Sequence, residues 1–551
     1  MDFLDPALAG FSVVFQPANL LFCLLGVTLG MLVGVLPGLG PAATIAVLLP
    51  VTYNLDAASA IILLAGIFYG AQYGGTITSV LLRLPGEASS VVTAIDGHEM
   101  ARQGRAGAAL GIAAIGSFIG GTVAIIGLTL VAPIVAGFAL SFGPPEYTAL
   151  AILGILLVST LGSGSVRASV VAAGLGLLFA TVGRDPIVGT SRFTFGSDQL
   201  ADGIDFVVVA MGLFGVGEIL YNLEQSRYET APEPAPVGKA YPSRQDLSAS
   251  KGAIARGGVI GFFLGVLPGG GATMSSLVAY AAEKRSSKNP EQFGKGAIQG
   301  VAGPETANNA AATSSFIPLL TLGIPANGTM AIMYGALLLQ GVTPGPLLIT
   351  ENPDVFWGVI DSMYIGNLFL LAMSIPLIGV FVRILRVRAT ILAPLTVLIT
   401  MVGVYTVRLS VFDMFAVVFF GLIGYLMKKV GFEPGPLVLS FVLGTLLENN
   451  FRLSMRVLNG EPVGFLTRPI SATILAIIIF VAVVLPIIKM LRGRGRSQGL
   501  PLVSSNTDGE TIGAVAAPST TVGSADVSGG ATTDGHDSTP GTSSRGSREI
   551  H

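Results

Sequence analysis

The sequence predicts an all-α polytopic membrane protein. It reads as two inverted repeats of about five spans plus a re-entrant hairpin each, with one extra C-terminal span. Three observations predict this. Only 11% of the 551 residues are charged, against about 25% in a soluble domain, while 51% are hydrophobic and the mean hydropathy is +0.74. Apolar runs near spanning length recur along most of the chain. The motifs of the first half return in the second, with a different charge on their flanks.

A run broken by Gly and Pro at 18–51 comes first, then apolar runs at 57–82, 106–135, 146–162, 167–183 and 205–222. These make a first transmembrane repeat, 1–222. The polar stretch 223–252, with EPAPVGKAYPSRQDLS in it, reads as a cytoplasmic linker. A second repeat, 253–447, opens with a broken run at 253–280. It continues at 297–323, 359–382, 391–407, 412–427 and 433–447. Residues 448–496 hold a final span at 470–491. Residues 497–551 are rich in Ser, Thr, Gly and Asp, bury too little apolar surface to order themselves, and read as a disordered polar tail. The 73 glycines are nearly twice the usual share of about 7%. Small residues at that level let membrane helices approach closely or break.

The same composition excludes several classes. One cysteine, Cys23, cannot make a disulfide scaffold or a thiolate metal site. Two of the three histidines, His536 and His551, lie in the tail, which leaves no multi-His metal centre. A net charge of −2 offers no basic surface for nucleic acid. The first Lys or Arg is Arg83, so the basic start of a cleavable signal is missing. No HExxH and no Ser–His pairing is available around His98, the one body histidine, which argues against an enzyme. GKG at 294–296 lacks the Ser or Thr of a phosphate loop, and no nucleotide domain fits between the spans. No cofactor is expected.

The repeat rests on three matches in one order. GVLPGLGPA at 34–42 recurs as GVLPGGGAT at 265–273, LRLPGE at 82–87 as LGIPAN at 322–327, and AIDGHEMARQG at 94–104 as AIMYGALLLQG at 331–341. Charge then orients the halves. The first broken run has no Lys or Arg on either flank. The second lies between Lys251 and Arg256 on one side and Lys284, Arg285, Lys288 and Lys295 on the other. Cytoplasmic loops collect Lys and Arg. Each broken run therefore reads as a re-entrant hairpin, the first opening to the outside and the second to the cytoplasm. Strict alternation of the other spans puts 22 Lys and Arg of residues 1–496 inside and 6 outside. Inverted repeats with broken helices are the architecture of secondary transporters. A Pro-kinked ordinary span is the plainer alternative for each broken run.

GVLPGLGPAATIAVLLP, YGAQYGGTITSVLLRLPGE, GVLPGGGAT and GPETANNAAATSSFIPLLTLGIPANGTMAIMYGALLLQG together resemble the large membrane subunit of the tripartite tricarboxylate transporters, the TctA family. The PETANNAAA stretch with the TLGIP after it is the specific part. The resemblance implies a permease in a bacterial inner (cytoplasmic) membrane, multi-pass, with its C-terminus cytoplasmic. It implies a small TctB-like membrane subunit and a periplasmic TctC-like solute-binding protein as partners. Tricarboxylates or related carboxylates are the implied cargo, imported by ion-coupled alternating access with Na+ as the coupling ion and H+ as the alternative. A channel-like permease for small organic anions is the rival reading, because re-entrant loops also build filters. The chain departs from the family in its long polar tail and in TSSF at 313–316, where Gly-Gly is common.

Carrying a carboxylate across a bilayer needs anion-binding groups at mid-depth, where positive side chains are costly. Broken helices supply exposed N–H groups and a partial positive charge instead. The breaks are Pro37, Gly38 and Gly40; Pro85 and Gly86; Pro268, Gly269 and Gly270; and Pro325. Beside them stand the substrate-binding candidates Thr44, Thr76, Thr78, Ser79, Thr273, Asn308, Asn309, Ser314 and Ser315, with Tyr73, Ser275 and Thr313 nearby. Glu305, Asn308 and Asn309 are the ion-coupling candidates, since amide and carboxylate oxygens suit a hard cation such as Na+. The bland readings are explicit. Ser and Thr in membrane helices often bond the previous turn's carbonyl, and Glu305 also reads as a helix cap. Asp205 and Asp413 read as N-caps. Glu146, Glu218, Asp361 and Glu448 read as interface or partner-helix contacts, and Arg83 as an inner anchor or a carboxylate contact.

Overall fold

The computed structural model describes residues 4–36, 40–161, 165–185, 187–225, 241–384 and 389–484. Pro37, Gly38, residues 226–240 of the linker and the tail lie outside them. The described chain is helical apart from a short antiparallel pair, Gly183–Arg184 with Ser191–Arg192.

The first half holds α1 (Leu4–Val14), α2 (Pro17–Val35), α3 (Pro41–Thr52), α4 (Ala57–Leu82), α5 (Thr93–Arg102), α6 (Ala106–Ala139), α7 (Pro144–Leu161), α8 (Val166–Ala180) and α9 (Phe206–Gln225). The second holds α10 (Arg244–Val266), α11 (Gly271–Ser286), α12 (Gln299–Ser314), α13 (Phe316–Leu322), α14 (Gly328–Leu339), α15 (Pro353–Ser374), α16 (Ala389–Arg408), α17 (Val411–Lys429), α18 (Pro434–Val457) and α19 (Pro469–Ile479). Among the described residues seven of these helices are long and apolar enough to cross a membrane.

Glycine decides how the halves pack. Gly26, Gly30 and Gly34 of α2 lie against the backbone of Leu63, Ile67 and Ala71 of α4, so close that a Cβ on any of them would overlap a carbonyl oxygen. Gly257, Gly261 and Gly265 of α10 lie in the same way against Gly303, Ala307 and Ala311 of α12. The two sets are displaced by 231 and 240 residues, the offsets of the sequence motifs themselves. Packing of this kind needs backbones in contact, which only glycine permits.

The registers also fix direction. In both pairs the residue numbers rise together, so α2 runs parallel to α4 and α10 parallel to α12. Between the halves they run opposite: Phe68 of α4 meets Phe316 at 6.0 Å, and Thr76 meets Glu305. The start of α2 lies beside the start of α4, where Ser59 donates a hydrogen bond to Asn19. Its far end at Gly34 reaches only Ala71, about half-way along α4. α3 then leads back to Asp56, which caps α4 by accepting from the Ser59 N–H at 3.0 Å. In the second half Glu283, near the end of α11, returns to Arg256 of α10, accepting from its Nε and Nη2 at 2.7 Å each.

Several boundaries differ from the sequence reading. Ser243 and Asp246 form a reciprocal cap, so α10 begins at Arg244, inside the stretch read as linker. α18 runs ten residues beyond 447, with Glu448 and Arg452 within it. Asp205 is an N-cap, accepting from the Val207 N–H at 2.7 Å. Asp413 is not: Ser410 caps α17 by accepting from the Asp413 N–H at 3.2 Å, and Asp413 sits in the first turn. Sequence reasoning took the acid at the edge of the run and overlooked the hydroxyl three residues before it.

Ion pairs between segments fall into two groups. One joins Arg452 to Asp185, Arg192 to Glu448, Arg468 to Glu146 and Arg408 to Asp205. The other joins Arg105 to Asp246, Lys428 to Glu218, Lys429 to Glu224 and Arg256 to Glu283. Each pair links segments that the alternation of spans assigns to one side. In the loop after α8, the Arg452 guanidinium at 2.7 and 2.9 Å, with the N–H groups of Val188 and Ile187, holds the Asp185 carboxyl well below the usual carboxylate range.

Candidate functional site

The two halves cross at Glu305. It lies six residues into α12, fully buried, so the reading of a terminal cap does not hold. Its Oε2 accepts from Thr76 Oγ1 of α4 at 2.7 Å, and its Oε1 from Thr93 Oγ1 of α5 at 2.5 Å. Asn309, one turn on, donates to Ser117 Oγ of α6 at 2.7 Å and to the Glu305 carbonyl at 3.1 Å. Asn308 lies near the Glu305 carboxylate, yet neither its Nδ2 nor its Oδ1 reaches hydrogen-bond geometry with a partner among the described residues. A buried amide left unpaired costs about 1–3 kcal/mol. The oxygens of Glu305, Thr76 and Thr93 form a cluster of the hard-donor type that could hold a cation.

The breaks flank this centre. α4 ends on Arg83 at φ 59° and α13 on Gly323 at φ 68°, two left-handed residues 240 apart. Each is followed by an apolar residue and a proline, Leu84–Pro85 and Ile324–Pro325. Gly86 then packs on the Gly34 carbonyl at the end of α2. Gly269, in the break between α10 and α11, donates its N–H to the Ala326 carbonyl at 2.8 Å. Gly270 and Pro268 hold the same break, and Gly40 precedes α3 as its N-cap without a side-chain bond. Across the halves, Ser276 of α11 donates to the Ser89 carbonyl at 2.8 Å. Ser89 donates to Gln72 at 2.8 Å, and Ser79 to Ser90 at the same distance.

Other predicted residues take the bland role. Thr44 bonds the Gly40 carbonyl, Thr78 that of Gly75, Ser314 that of Ala311 and Ser315 that of Ala312, all within one turn. Ser275 does the same with Gly271. Thr273 is half-buried in the first turn of α11. Thr76, Glu305 and Asn309 thus meet across helices, Ser79 reaches Ser90, Tyr73 donates to Asn367 Oδ1 of α15 at 2.6 Å, and Asn308 lies beside Glu305.

Sequence reasoning missed Thr93, Ser117, Ser89 and Ser90, which carry no motif of their own, and Gln72, which lies inside the YGAQYGGTITSV motif. It also missed Asp96, fully buried on α5. Its Oδ1 accepts from the N–H groups of Gly294, Gly296 and Ala297 at 2.8–2.9 Å, and its Oδ2 from Tyr280 at 2.9 Å. An acid lying between two broken motifs was the available signal.

Known proteins agree with this arrangement of motifs. Residues 20–439 match the tripartite tricarboxylate transporter TctA family. The chain belongs to that family. An Agrobacterium vitis protein described as "Uncharacterized 52.8 kDa protein in TAR-I ttuC' 3'region" is 49% identical over 478 residues, 87% of this chain and 95% of that protein. A second from the same organism, "Uncharacterized protein in TAR-II ttuC' 3'region", is 49% identical over 234 residues, 42% of this chain and 96% of its own length. No solved structure matches. As a TctA-family chain, the protein is a membrane component of a transport system.

Proposed function

We propose that this TctA-family chain is the permease of a binding-protein-dependent secondary transporter that imports tricarboxylates or related carboxylates by ion-coupled alternating access. In this reading α2–α3 and α10–α11 are re-entrant hairpins of two inverted repeats. The parallel pairs α2–α4 and α10–α12, opposed to each other at Phe68–Phe316, support it. The group of segments around Arg105 and Lys428 is cytoplasmic, as is the C-terminus, and the membrane is the bacterial inner membrane. A TctB-like small subunit and a TctC-like binding protein complete the system. The observation that carries the reading is Glu305, buried at the crossing and hydrogen-bonded by the Thr76 and Thr93 hydroxyls of α4 and α5, beside an unpaired Asn308. It serves as the cation site, with Na+ the ion that its oxygens fit, and the backbone breaks serve the carboxylate.

The test is uptake into proteoliposomes holding the permease, its small subunit and the binding protein, with di- and tricarboxylates under separate Na+ and H+ gradients. Saturable, gradient-driven uptake that needs the binding protein is expected. Uptake that neither saturates nor follows an ion gradient would identify the channel-like permease instead.

A further inference from the structure

Of the four acids that sequence reasoning placed near helix ends, three have basic partners: Glu146 with Arg468, Glu218 with Lys428, and Glu448 with Arg192. Asp361 has none. It lies on α15 with 1% of its surface exposed, and its Oδ2 has no hydrogen-bond partner among the described residues. One turn before it, Trp357 is equally buried, and its Nε1 is also unpaired. α1 closes the place from one side: Gly10 sits so near that a Cβ there would meet both Asp361 Oδ2 and Trp357.

Among the described residues, the helices that pack most closely on α15 bring no counter-charge. α15 packs against α1, α2, α4, α6 and the short helical turn Leu348–Glu351. None of these six elements contains a Lys, Arg or His. Their acids are Asp5 on α1, Glu351, and Asp354 on α15 itself. The other titratable groups facing this part of α15 are Tyr69 and Cys23, bonded to each other at 3.9 Å, and Tyr364, bonded to Thr129 at 3.1 Å. Cys23 also reaches the Ser362 carbonyl at 3.5 Å. None of these supplies positive charge.

An ionised carboxylate buried without a cation or a full set of donors is strongly unfavourable, and in membrane proteins such a group marks an ion or proton path. A metal cation would need several oxygens around it. Asp361 Oδ2 faces instead the backbone of Gly10. A proton needs no such cage. We propose that Asp361 is a proton-carrying carboxylate, a second coupling site separate from Glu305, and that α1 shields it from the aqueous phase. This rests on the reading of the chain as an ion-coupled carrier. In the cycle the Asp361 O–H bond breaks as an O–H bond to water forms when the site opens, and the reverse transfer from water on the other side restores it.

The first measurement uses the wild-type protein. Dicyclohexylcarbodiimide, which is lipid-soluble, attacks protonated carboxyls in apolar surroundings. Mass spectrometry should find its adduct on Asp361, falling in yield as pH rises from about 5 to about 9, a range above the ordinary carboxylate value of about 4, where an ordinary carboxylate is already ionised. Absence of the adduct throughout that range overturns the proposal. The second measurement compares carboxylate counterflow with uphill accumulation in proteoliposomes of the complete system. Asp361→Asn, neutral and of the same shape, should keep counterflow but lose acceleration of uptake by an inward proton gradient. A variant that retains the wild-type proton response overturns the proposal. Loss of saturable counterflow in the wild-type system would instead reject the carrier reading itself, so the two failures are told apart.

Discussion

The two breaks, Arg83–Glu87 and Gly323–Asn327, share a backbone and differ in chemistry. Both follow a buried helix, both start with a left-handed residue, and both continue with an apolar residue and a proline. The second has glycine where the left-handed turn asks for it, and Asn327, whose Oδ1 accepts from the Met330 N–H at 2.9 Å to cap α14. The first has arginine in the strained conformation and Glu87 ahead of a short turn with no side-chain cap. The second break is thus built for stability. The first carries opposite charges at its ends at a backbone cost, the pattern expected where a site has a task beyond holding the chain.

The largest effect should come from the shared scaffold. Gly30→Leu and Gly261→Leu each drive a side chain into a carbonyl, and each should destabilise by at least about 3 kcal/mol, beyond ordinary overpacking. Yield of folded protein and thermal stability in detergent measure this. A tolerant first half beside an intolerant second would break the equivalence of the two helix pairs. Next comes the crossing. Glu305→Gln keeps the shape but removes the charge that Thr76 and Thr93 serve. Apparent cation affinity in uptake should fall about ten- to a hundredfold, the loss of about 1.5–3 kcal/mol for a charged hydrogen bond. An unchanged ion dependence would make Glu305 a structural group.

Smaller effects sharpen the comparison of the breaks. Asn327→Ala should cost about 1 kcal/mol through the lost cap, and Gly323→Ala more than the about 1–2 kcal/mol of left-handed strain, because its Cβ would also meet the Pro344 carbonyl oxygen, both read as melting shifts. Glu87→Ala removes no cap and should shift melting less than Asn327→Ala. The smallest effect has the opposite sign. Arg83→Gly relieves about 1–2 kcal/mol of strain but gives back about 0.4–1 kcal/mol in unfolded-chain entropy, a net gain of roughly 0.5 kcal/mol. A stabler protein that transports less would show that Arg83 holds its strained place for function. Unchanged transport would leave it an anchor.

The architecture was legible because it depends on features that sequence displays directly. Apolar length gave the helices, and the spacing of Gly26, Gly30 and Gly34 against Gly257, Gly261 and Gly265 is the repeat written in packing residues. Lys428 meets Glu218, and Arg452 meets Asp185, as the alternation of spans expects of loops on one side. The site was only partly legible. PETANN pointed to Glu305, but which hydroxyls reach it depends on how α4, α5 and α6 cross α12. Thr76 and Thr93 therefore look no different in sequence from Thr78, which bonds its own helix. Asp96 was hidden for the same reason, since its partners lie about 200 residues away.

That distance has a consequence for how the protein is made. Asp96 is translated with the first half, and its three N–H donors at Gly294, Gly296 and Ala297 belong to the second. At about 5–20 residues per second, the ribosome needs roughly 10–40 s to deliver them. Through that interval the nascent first half holds a carboxylate destined for burial with nothing to receive it. It therefore stays loosely assembled, or sheltered by the insertion machinery, until the loop before α12 arrives. The Asp96 site can therefore be completed only after the short loop before α12 has been made, late in synthesis of the chain.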